Sequence, residues 1–394
     1  MLRLRHFTQR LEIDRSAARR GDPDREAAPG AAHGDGSLLP NATGRIAHVF
    51  LVATRRMPGF EQGMLDRLLR LAAAVPRISI AVHHEDAKEM RAWVAALGLP
   101  AKINIVVMPA GAVLWPWAQD RVAIIRNADG SSDVLDSGGG DDDTGLAAAG
   151  AIGLAGSRPA GFPLPGGNIL VHDTHCFMGA DLDTTIAALE TRRSVEVVGC
   201  APLERRGPTR FEIAPGDYSW RQDVDRSIAA SGSRQPVFHI DMFMTLAGVA
   251  PDGRPRLLLG DPVWASDLIG VPLPEGFPVE AFAEIDRGLR ANGFEVVRNP
   301  LPFVYFDDPE AKLRAWFYAS ANNCWVECMG ETGGCRVFLP EYGFGAWPEL
   351  KATDDANAKV WEELGFEVIH GGDFLPLADQ LGSLNCVTKV LARA

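Results

Sequence analysis

The sequence predicts an α/β fold in which a unit of β-hairpin, helix and strand recurs along most of the chain. Short apolar runs typical of buried strands alternate with segments whose apolar residues recur at helical spacing. The whole unit returns roughly every 60–80 residues, a spacing typical of repeated architectures. The chain has 394 residues, of which 46% are hydrophobic, and this is enough to bury a large core.

The elements are predicted in chain order. Apolar runs at residues 46–52, 78–82 and 103–108 are separated by amphipathic segments at 62–75 and 86–97, which indicates alternating strands and helices. Further along, short strands come mostly in pairs. These later strands are predicted at 122–125, 134–135, 168–171, 176–178, 195–198, 243–246, 257–259, 295–297, 316–320, 324–327, 337–339, 367–369 and 387–391, with helices at 184–191, 279–292 and 354–364.

Residues 44–394 are expected to form one domain, in which about five such units fit. The units share negligible sequence similarity, so the period permits a radial array and permits an ordinary open α/β sheet equally well. Residues 1–43 differ in composition, with an Arg-rich start and a stretch rich in Gly, Ala, Pro and Asp. No apolar segment of a secretory signal follows, and we expect a disordered tail or an over-extended start.

Charge and cysteine content limit the partners and the compartment. The net charge of −12 argues against nucleic acid and anionic membrane and favours a cationic ligand. No run of 18 apolar residues occurs, so no membrane-spanning helix is expected. The cysteines are few and form no compact framework, which predicts free thiols in a reducing cytoplasm. They lie at positions 176, 200, 324, 328, 335 and 386, and the close trio among them lacks the spacing of a zinc site.

Four short motifs contain residues suited to one chemistry. Trp117 and Asp120 come first, the P-G-G-N motif at residues 165–168 follows, His239 and Asp241 come next, and Cys386 lies near the end of the chain. A thiol can attack an electrophilic carbon, a histidine can transfer protons, and two carboxylates can hold a planar guanidinium cation. In a strand, His239 and Asp241 would point to the same face and converge on one ligand.

The order of these motifs resembles the guanidino-group-modifying enzymes of the pentein fold, most closely the protein-arginine and agmatine deiminases. Gly382, Cys386 and Thr388 match that family's G-x-x-H-C-x-T segment, whereas Asn385 replaces the histidine before the cysteine. The resemblance covers roughly residues 45–394 and implies a five-bladed ββαβ α/β-propeller. It also implies that neither a metal nor an organic cofactor is needed.

The resemblance implies a role for each residue of the motifs. Cys386 would be the nucleophile and His239 the general acid and base, while Asp120 and Asp241 would bind the guanidinium nitrogens. Trp117 would form an aromatic wall over the cation. The substrate would be a cationic guanidino small molecule or a peptidyl arginine.

Pro165 and Asp183 depart from the family pattern, and Asp183 bears on the substrate. Pro165 stands where arginine and agmatine deiminases have a glutamate, and Asn168 three residues later is expected to order a hairpin more than to touch substrate. Asp183 aligns with an arginine that binds the substrate carboxylate in arginine deiminases. An aspartate there would repel a carboxylate, which favours an amine-tailed or amide-linked guanidine.

The leading hypothesis is a deiminase that hydrolyses a guanidino group to a ureido group and releases ammonia. An amidinotransferase, which would pass the amidino group to an amine, shares the same covalent intermediate. A non-catalytic pentein binding module is disfavoured because such modules lack the Cys-His-Asp set. Thiol proteases and transglutaminases place the cysteine before the histidine, whereas here it comes last.

Overall fold

The computed structural model describes residues 36–53, 62–99, 102–137, 142–160, 164–182, 192–204, 210–224, 231–329 and 334–394. The strands of its first half are β1 (Ser37–Leu38), β2 (Ile46–Val52), β3 (Arg77–His83), β4 (Ile103–Met108), β5 (Val122–Arg126), β6 (Ser132–Asp136), β7 (Arg158–Pro159), β8 (Ile169–Val171), β9 (His175–Gly179) and β10 (Ser194–Val198). Those of its second half are β11 (Arg210–Phe211), β12 (Trp220–Asp223), β13 (Met244–Val249), β14 (Pro255–Asp261), β15 (Glu295–Pro300), β16 (Phe303–Asp308), β17 (Leu313–Tyr318), β18 (Trp325–Cys328), β19 (Cys335–Glu341), β20 (Phe366–Asp373) and β21 (Thr388–Arg393).

The helices of the same residues connect these strands. They are α1 (Gln62–Ala72), α2 (Ala87–Ala96), α3 (Thr144–Ala151), α4 (Pro262–Ile269), α5 (Val279–Ala291), α6 (Lys351–Glu363) and the short α7 (Leu375–Ala378). None of them is both long enough and apolar enough to cross a membrane.

The described strands form six sheets, and five of these contain the same unit. In each of the five, two strands pair antiparallel, and the strand that directly follows the second of them along the chain pairs parallel with it. The five units are β5-β6-β7, β8-β9-β10, β13-β14-β15, β18-β19-β20 and β21-β2-β3. In the last, β21 from the C-terminal end pairs with β2 from the N-terminal part of the chain, so the two ends meet in one sheet.

The α/β class is confirmed, and the hairpin, helix and strand unit predicted from the pattern is present. Helices α1, α3 and α6 each lie between the second and third strand of a unit, and α4 and α5 together do so in another. The helix predicted at 184–191 lies outside the described residues. The arrangement of the units as five blades around an axis stays a prediction.

One sheet was not predicted as such. Strands β11, β12, β17 and β16 form a four-stranded sheet outside the repeating units. Arg314 is held between the rings of Phe211 and Tyr305, with its guanidinium carbon 4.8 and 3.5 Å from the ring centroids, and it pairs with Asp307. Such a sheet, with charged and aromatic residues at its contacts, lacks the plain apolar alternation on which the prediction relied.

The N-terminal part of the described chain is folded ahead of residue 44, where the sequence pattern places the start of the domain. β1 pairs antiparallel with β5, Leu38 and Ala42 are buried, and the Asn41 N–H donates to the Val171 carbonyl. The remainder of the predicted tail, residues 1–35, lies outside the described residues.

A disulfide corrects the expectation that all the cysteines are free thiols. Cys328 at the end of β18 and Cys335 at the start of β19 are directly paired, with 4.2 Å between their Cα atoms, and are joined by a disulfide. The six-residue connection between them lets the chain fold back as a hairpin, which the linear spacing alone does not reveal. Cys176, Cys200, Cys324 and Cys386 are buried and form no disulfide within the described chain.

The core consists mainly of two large apolar clusters that meet near the C-terminus. One packs around β13, β14 and α5 and includes Cys386. The other packs around β2, β3 and α1 and includes Leu384 and Val387. Trp117 packs against both clusters. The segment that contains the cysteine therefore lies where the two cores join, and packing on both sides holds it in place.

Candidate active site

Three short 3₁₀ turns bring the sequence motifs together. The turns are Ala118–Asp120, Gly166–Asn168 and Ile240–Met242. At most one residue separates each turn from the first strand of a unit, namely β5, β8 and β13. The turn before β21 contains Cys386. Equivalent ends of neighbouring units thus converge, which is why motifs far apart in sequence lie close together in the fold.

The Asp120 carboxylate is oriented by the glycine pair. Its Oδ1 accepts a hydrogen bond of 2.9 Å from the Gly167 N–H and lies 3.7 Å from Nδ1 of His239. The Ser137 hydroxyl donates to the backbone carbonyl of Asp120 and fixes the residue from the other side. About a quarter of the Asp120 side chain is exposed, 24%, so it can reach a ligand.

His239 and Asp241 do not lie in a strand, although a strand was the setting in which we expected their side chains to converge. His239 is extended, with φ −130° and ψ 143°, and it precedes the turn that contains Asp241. The turn forms because the Ile240 N–H donates to the side-chain oxygen of Asn168 at 3.1 Å. The two side chains still converge, because an ideal Cβ on Gly167 would lie 2.6 Å from His239 Nδ1 and 3.0 Å from Asp241 Oδ1.

Asp241 is a buried carboxylate with few partners. It is 1% exposed, and its Oδ2 accepts a hydrogen bond of 2.9 Å from Asn385 Nδ2. Its Oδ1 has no hydrogen-bond partner among the described residues. Burial raises the pKa of Asp241 to about 7, with the nearby His239 opposing the rise and Asp120 adding to it. An incoming cation would favour the ionised form and satisfy the free oxygen.

Cys386 is a buried thiol whose backbone is held on both sides. Its N–H donates to Asn323 Oδ1 at 3.1 Å, and its carbonyl accepts from the Gln119 N–H at 3.2 Å. Burial first, then the negative charges of Asp241 and Asp120, raises the pKa of the Cys386 thiol well above its usual value. The thiol is therefore neutral near pH 7, and it needs a nearby positive charge to ionise.

Close packing explains the glycines of the motifs. A Cβ on Gly166 would lie 2.1 Å from the Gln119 carbonyl oxygen, and one on Gly382 would lie 2.1 Å from the indole ring of Trp117. Trp117 thus lies directly on the segment that leads to Cys386. This position is compatible with the aromatic wall expected from the sequence.

Asn168 and Asp183 have different outcomes. The side chain of Asn168 is buried and bonded to protein groups, with its Oδ1 accepting from Gln235 Nε2 at 2.9 Å and from the Ile240 N–H. Asn168 therefore orders the turn below the site, which was the role the sequence favoured over substrate contact. Asp183 lies outside the described residues.

The structure adds residues that the motifs did not single out. Gln119 connects the first motif to the others, because its N–H bonds to Cys386 and its Nε2 donates to the Gly166 carbonyl at 3.2 Å. Asn323 is fully buried, and its Nδ2 has no partner among the described residues. The available signal was the Asn322-Asn323 pair, which interrupts an apolar stretch without a solvent-exposed loop to explain it.

Within the described ranges, no group of three or more His, Cys, Asp and Glu side chains is placed to hold a metal ion. The buried polar groups of the site instead suit a planar cation with several N–H donors, since carboxylate and amide oxygens predominate.

Comparison with known proteins identifies solved structures with the same fold. No family model matches the chain, and no curated protein matches it by sequence. Among solved structures, the agmatine deiminase of C. jejuni is 12% identical and superposes with a TM-score of 0.57, over 91% of this chain and 96% of that one. A structural-genomics target provisionally assigned as an agmatine deiminase is 15% identical, with a TM-score of 0.59 over 91% and 97%.

A third solved structure is the SxtG amidinotransferase from Microseira wollei, of the saxitoxin biosynthetic pathway. It is 13% identical and covers 91% of this chain and 97% of its own, but its TM-score is 0.39, too low to support an argument. At these identities the comparisons establish the fold. The chain therefore shares the fold of the two agmatine deiminase structures, as the resemblance of its motifs led us to expect.

Proposed function

We propose that the chain is a hydrolase of the deiminase type, which converts a guanidino group to a ureido group and releases ammonia. One observation carries the proposal: Asp120, His239 and Asp241 surround Gly167, and Asn385 connects Asp241 to the segment of Cys386. This set forms in a fold shared with agmatine deiminases. We further propose that the five units are arranged as the blades of a propeller around this site.

Binding of the substrate would rest on charge and shape. The two carboxylates, one of them almost fully buried, offer four oxygens to the N–H groups of a planar guanidinium, with Trp117 as an aromatic wall beside it. The substrate cation would offset the negative charges that keep the Cys386 thiol protonated. Substrate binding and formation of the thiolate would therefore be coupled, and the thiol proton would pass to His239.

The reaction then proceeds through a covalent intermediate. The Cys386 sulfur bonds to the guanidino carbon, one C–N bond breaks, and nitrogen leaves as ammonia with a proton supplied by His239. His239 next takes a proton from water, and the water oxygen bonds to the same carbon. The C–S bond breaks, the ureido product leaves, and the thiol forms again.

The first experiment measures ammonia and ureido product with agmatine, arginine, methylated arginines and a blocked arginine peptide. Cys386→Ala is expected to lower turnover by about 10³-fold or more, because it removes the nucleophile. Cys324→Ala is the matched control, since Cys324 is also a buried free cysteine of the core, and it should retain activity. Turnover by Cys386→Ala would refute the assignment.

The same assay separates the remaining alternatives. If the panel gives no ureido product, adding amine acceptors and looking for a new guanidine tests amidino transfer, which uses the same intermediate. If neither a ureido product nor a new guanidine forms, and the folded protein binds guanidines, the protein would be a binding module and the proposed hydrolysis would be contradicted.

A further inference from the structure

A cavity adjoins the candidate active site. It is lined by residues of β5, β8, β13, β18 and β21, which are the first antiparallel strands of the five repeated units. Asp241 and Asn385 line it at the active-site end, and Arg393 lines it further along β21. The cavity therefore borders the buried carboxylate of Asp241.

Lys389 is a cation inside this cavity, and the mechanism above does not use it. It lies three residues after Cys386, on β21, and lines the cavity together with Asp241. Among the hydrogen bonds and ion pairs of the described residues, its ammonium has no partner at short range. The Lys389 side chain is partly buried, and an ammonium drawn away from bulk water without a paired group is costly, so its position calls for a role.

The charges around Lys389 indicate what that role is. Asp120 and Asp241 are the two groups whose charges act on its ammonium, and they favour the charged form against the effect of burial. Burial lowers the pKa of Lys389 to about 8, so the amine is mostly cationic at the pH at which Asp241 titrates. The charges of two carboxylates thus act on the Lys389 ammonium, and one of these carboxylates, Asp241, lines the same cavity.

We propose that Lys389 is a positioning residue, the internal counter-ion that keeps the Asp241 carboxylate ionised and ready before a guanidinium binds. Asp241 needs such a partner, because it is 1% exposed and one of its oxygens has no hydrogen bond. The inference deepens the guanidine chemistry proposed above and rests on it for its effect on turnover. The titration of Asp241 itself can be measured without turnover.

Other titratable groups face this pair and must be considered. On the active-site side, His239 lowers the pKa of Asp241 and Asp120 raises it, while the Cys386 thiol is neutral because its own pKa is raised. Across the cavity, the Cys324 thiol is neutral because burial raises its pKa to about 12. At the far end of β21, the Arg393 guanidinium is bonded to backbone carbonyls.

The test compares Lys389→Met and Lys389→Gln, which remove the charge, with Lys389→Arg, which keeps it. Lys359→Met, at an exposed position of α6, is the matched control. The titration midpoint of Asp241 is read from the carboxyl ¹³C difference spectrum against Asp241→Asn, without substrate. Both neutral variants should raise this midpoint by about one pH unit or more, while the arginine variant and the control should stay near the wild type.

The acid limb of kcat/KM gives a second readout. In the neutral variants it should move upward by the same interval, with about tenfold lower activity one unit below the limb and little change above pH 8. Since the ammonium has no hydrogen bond to lose, both variants should fold, which circular dichroism checks.

The outcomes are distinguishable. An unchanged Asp241 midpoint in folded neutral variants, or the failure of both to fold, overturns the counter-ion role and indicates a structural one. If the wild type turns over no guanidine, the proposed function fails, but an upward shift of the Asp241 midpoint would still support the role of Lys389 and its absence would still refute it.

Discussion

At the scale of single residues, the site exists because Gly167 has no side chain. Its N–H bonds to Asp120, and a Cβ at this position would meet His239 Nδ1 at 2.6 Å and Asp241 Oδ1 at 3.0 Å. Three chemically active groups can approach one backbone position only where that position is glycine. The P-G-G-N motif is therefore a packing requirement of the site, and nothing in its geometry requires it to touch substrate.

The buried carboxylate predicts a conflict between stability and activity. Because the pKa of Asp241 rises to about 7 in the folded protein, from about 4 in the unfolded chain, the folded state binds more protons between these values. Its stability therefore falls as the pH rises from about 4 to about 7. Asp241→Asn should remove this loss, and its advantage in unfolding free energy should grow by about 2 kcal/mol from pH 5.5 to pH 8.

Urea unfolding of Asp241→Asn and wild type at the two pH values measures this difference. The same variant should bind and turn over guanidines at least about tenfold less well, since one charge-assisted contact is lost. Asp355→Asn, at an exposed position of α6, controls for the loss of one carboxylate. An Asp241→Asn variant that is less stable than wild type at pH 8 would contradict the interpretation of Asp241 as an unsatisfied buried charge.

At the scale of elements, the end of β19 supports the cysteine segment through one side chain. The Tyr342 hydroxyl donates to the Ser320 carbonyl at 2.7 Å and shares a hydrogen bond of 2.6 Å with the Ser383 hydroxyl. Asp354 of α6 in turn accepts from the backbone N–H groups of Tyr342 and Gly343. Strand, helix and cysteine segment are thus joined at a single tyrosine.

Removal of that hydroxyl should loosen the segment of Cys386. Tyr342→Phe is expected to cost about 1–3 kcal/mol of unfolding free energy, because the Ser320 carbonyl and the Ser383 hydroxyl lose a buried partner, and to lower kcat more than it raises KM. Tyr318→Phe is the matched control, since Tyr318 is equally buried and its hydroxyl has no partner within the described chain. Equal effects of the two variants on kcat and stability would contradict this account.

The elements also show which parts of the fold could be predicted from local sequence patterns and which could not. Apolar runs located β2, β3 and β4 and the helices between them, with β2 and β3 almost entirely buried and β4 partly buried. His239 and Asp241 were expected to converge in a strand, whereas the Asn168 side chain bonds the intervening N–H and forms a turn. A contact between residues 72 positions apart leaves no mark in local periodicity, and neither does the pairing of Cys328 with Cys335.

At the scale of the whole molecule, the two ends of the described chain are joined by Arg393. Its Nη1 donates to the carbonyls of Gly44 and Val326, at 2.8 and 2.9 Å, and its Nη2 donates to the Asn41 carbonyl. One side chain at the end of β21 therefore holds the N-terminal segment and β18 together. Since β21 also pairs with β2, the strand pairing and the Arg393 contacts both connect the two ends of the described chain.

Arg393→Met should therefore destabilise the whole fold and not one element. It leaves three backbone carbonyls without their donor at a position that is 9% exposed, for which we expect a loss of about 3–5 kcal/mol. Arg254→Met is the matched control, because Arg254 pairs only with Asp252 at a half-exposed hairpin, and it should change stability by less than about 0.5 kcal/mol. Denaturant unfolding followed by tryptophan fluorescence and by circular dichroism measures both variants. A single transition that is shifted equally in both signals supports the role of Arg393 in joining the two ends of the described chain. Loss of the N-terminal segment alone, with the main transition unmoved, would indicate that the pairing of β21 with β2 joins the ends without Arg393.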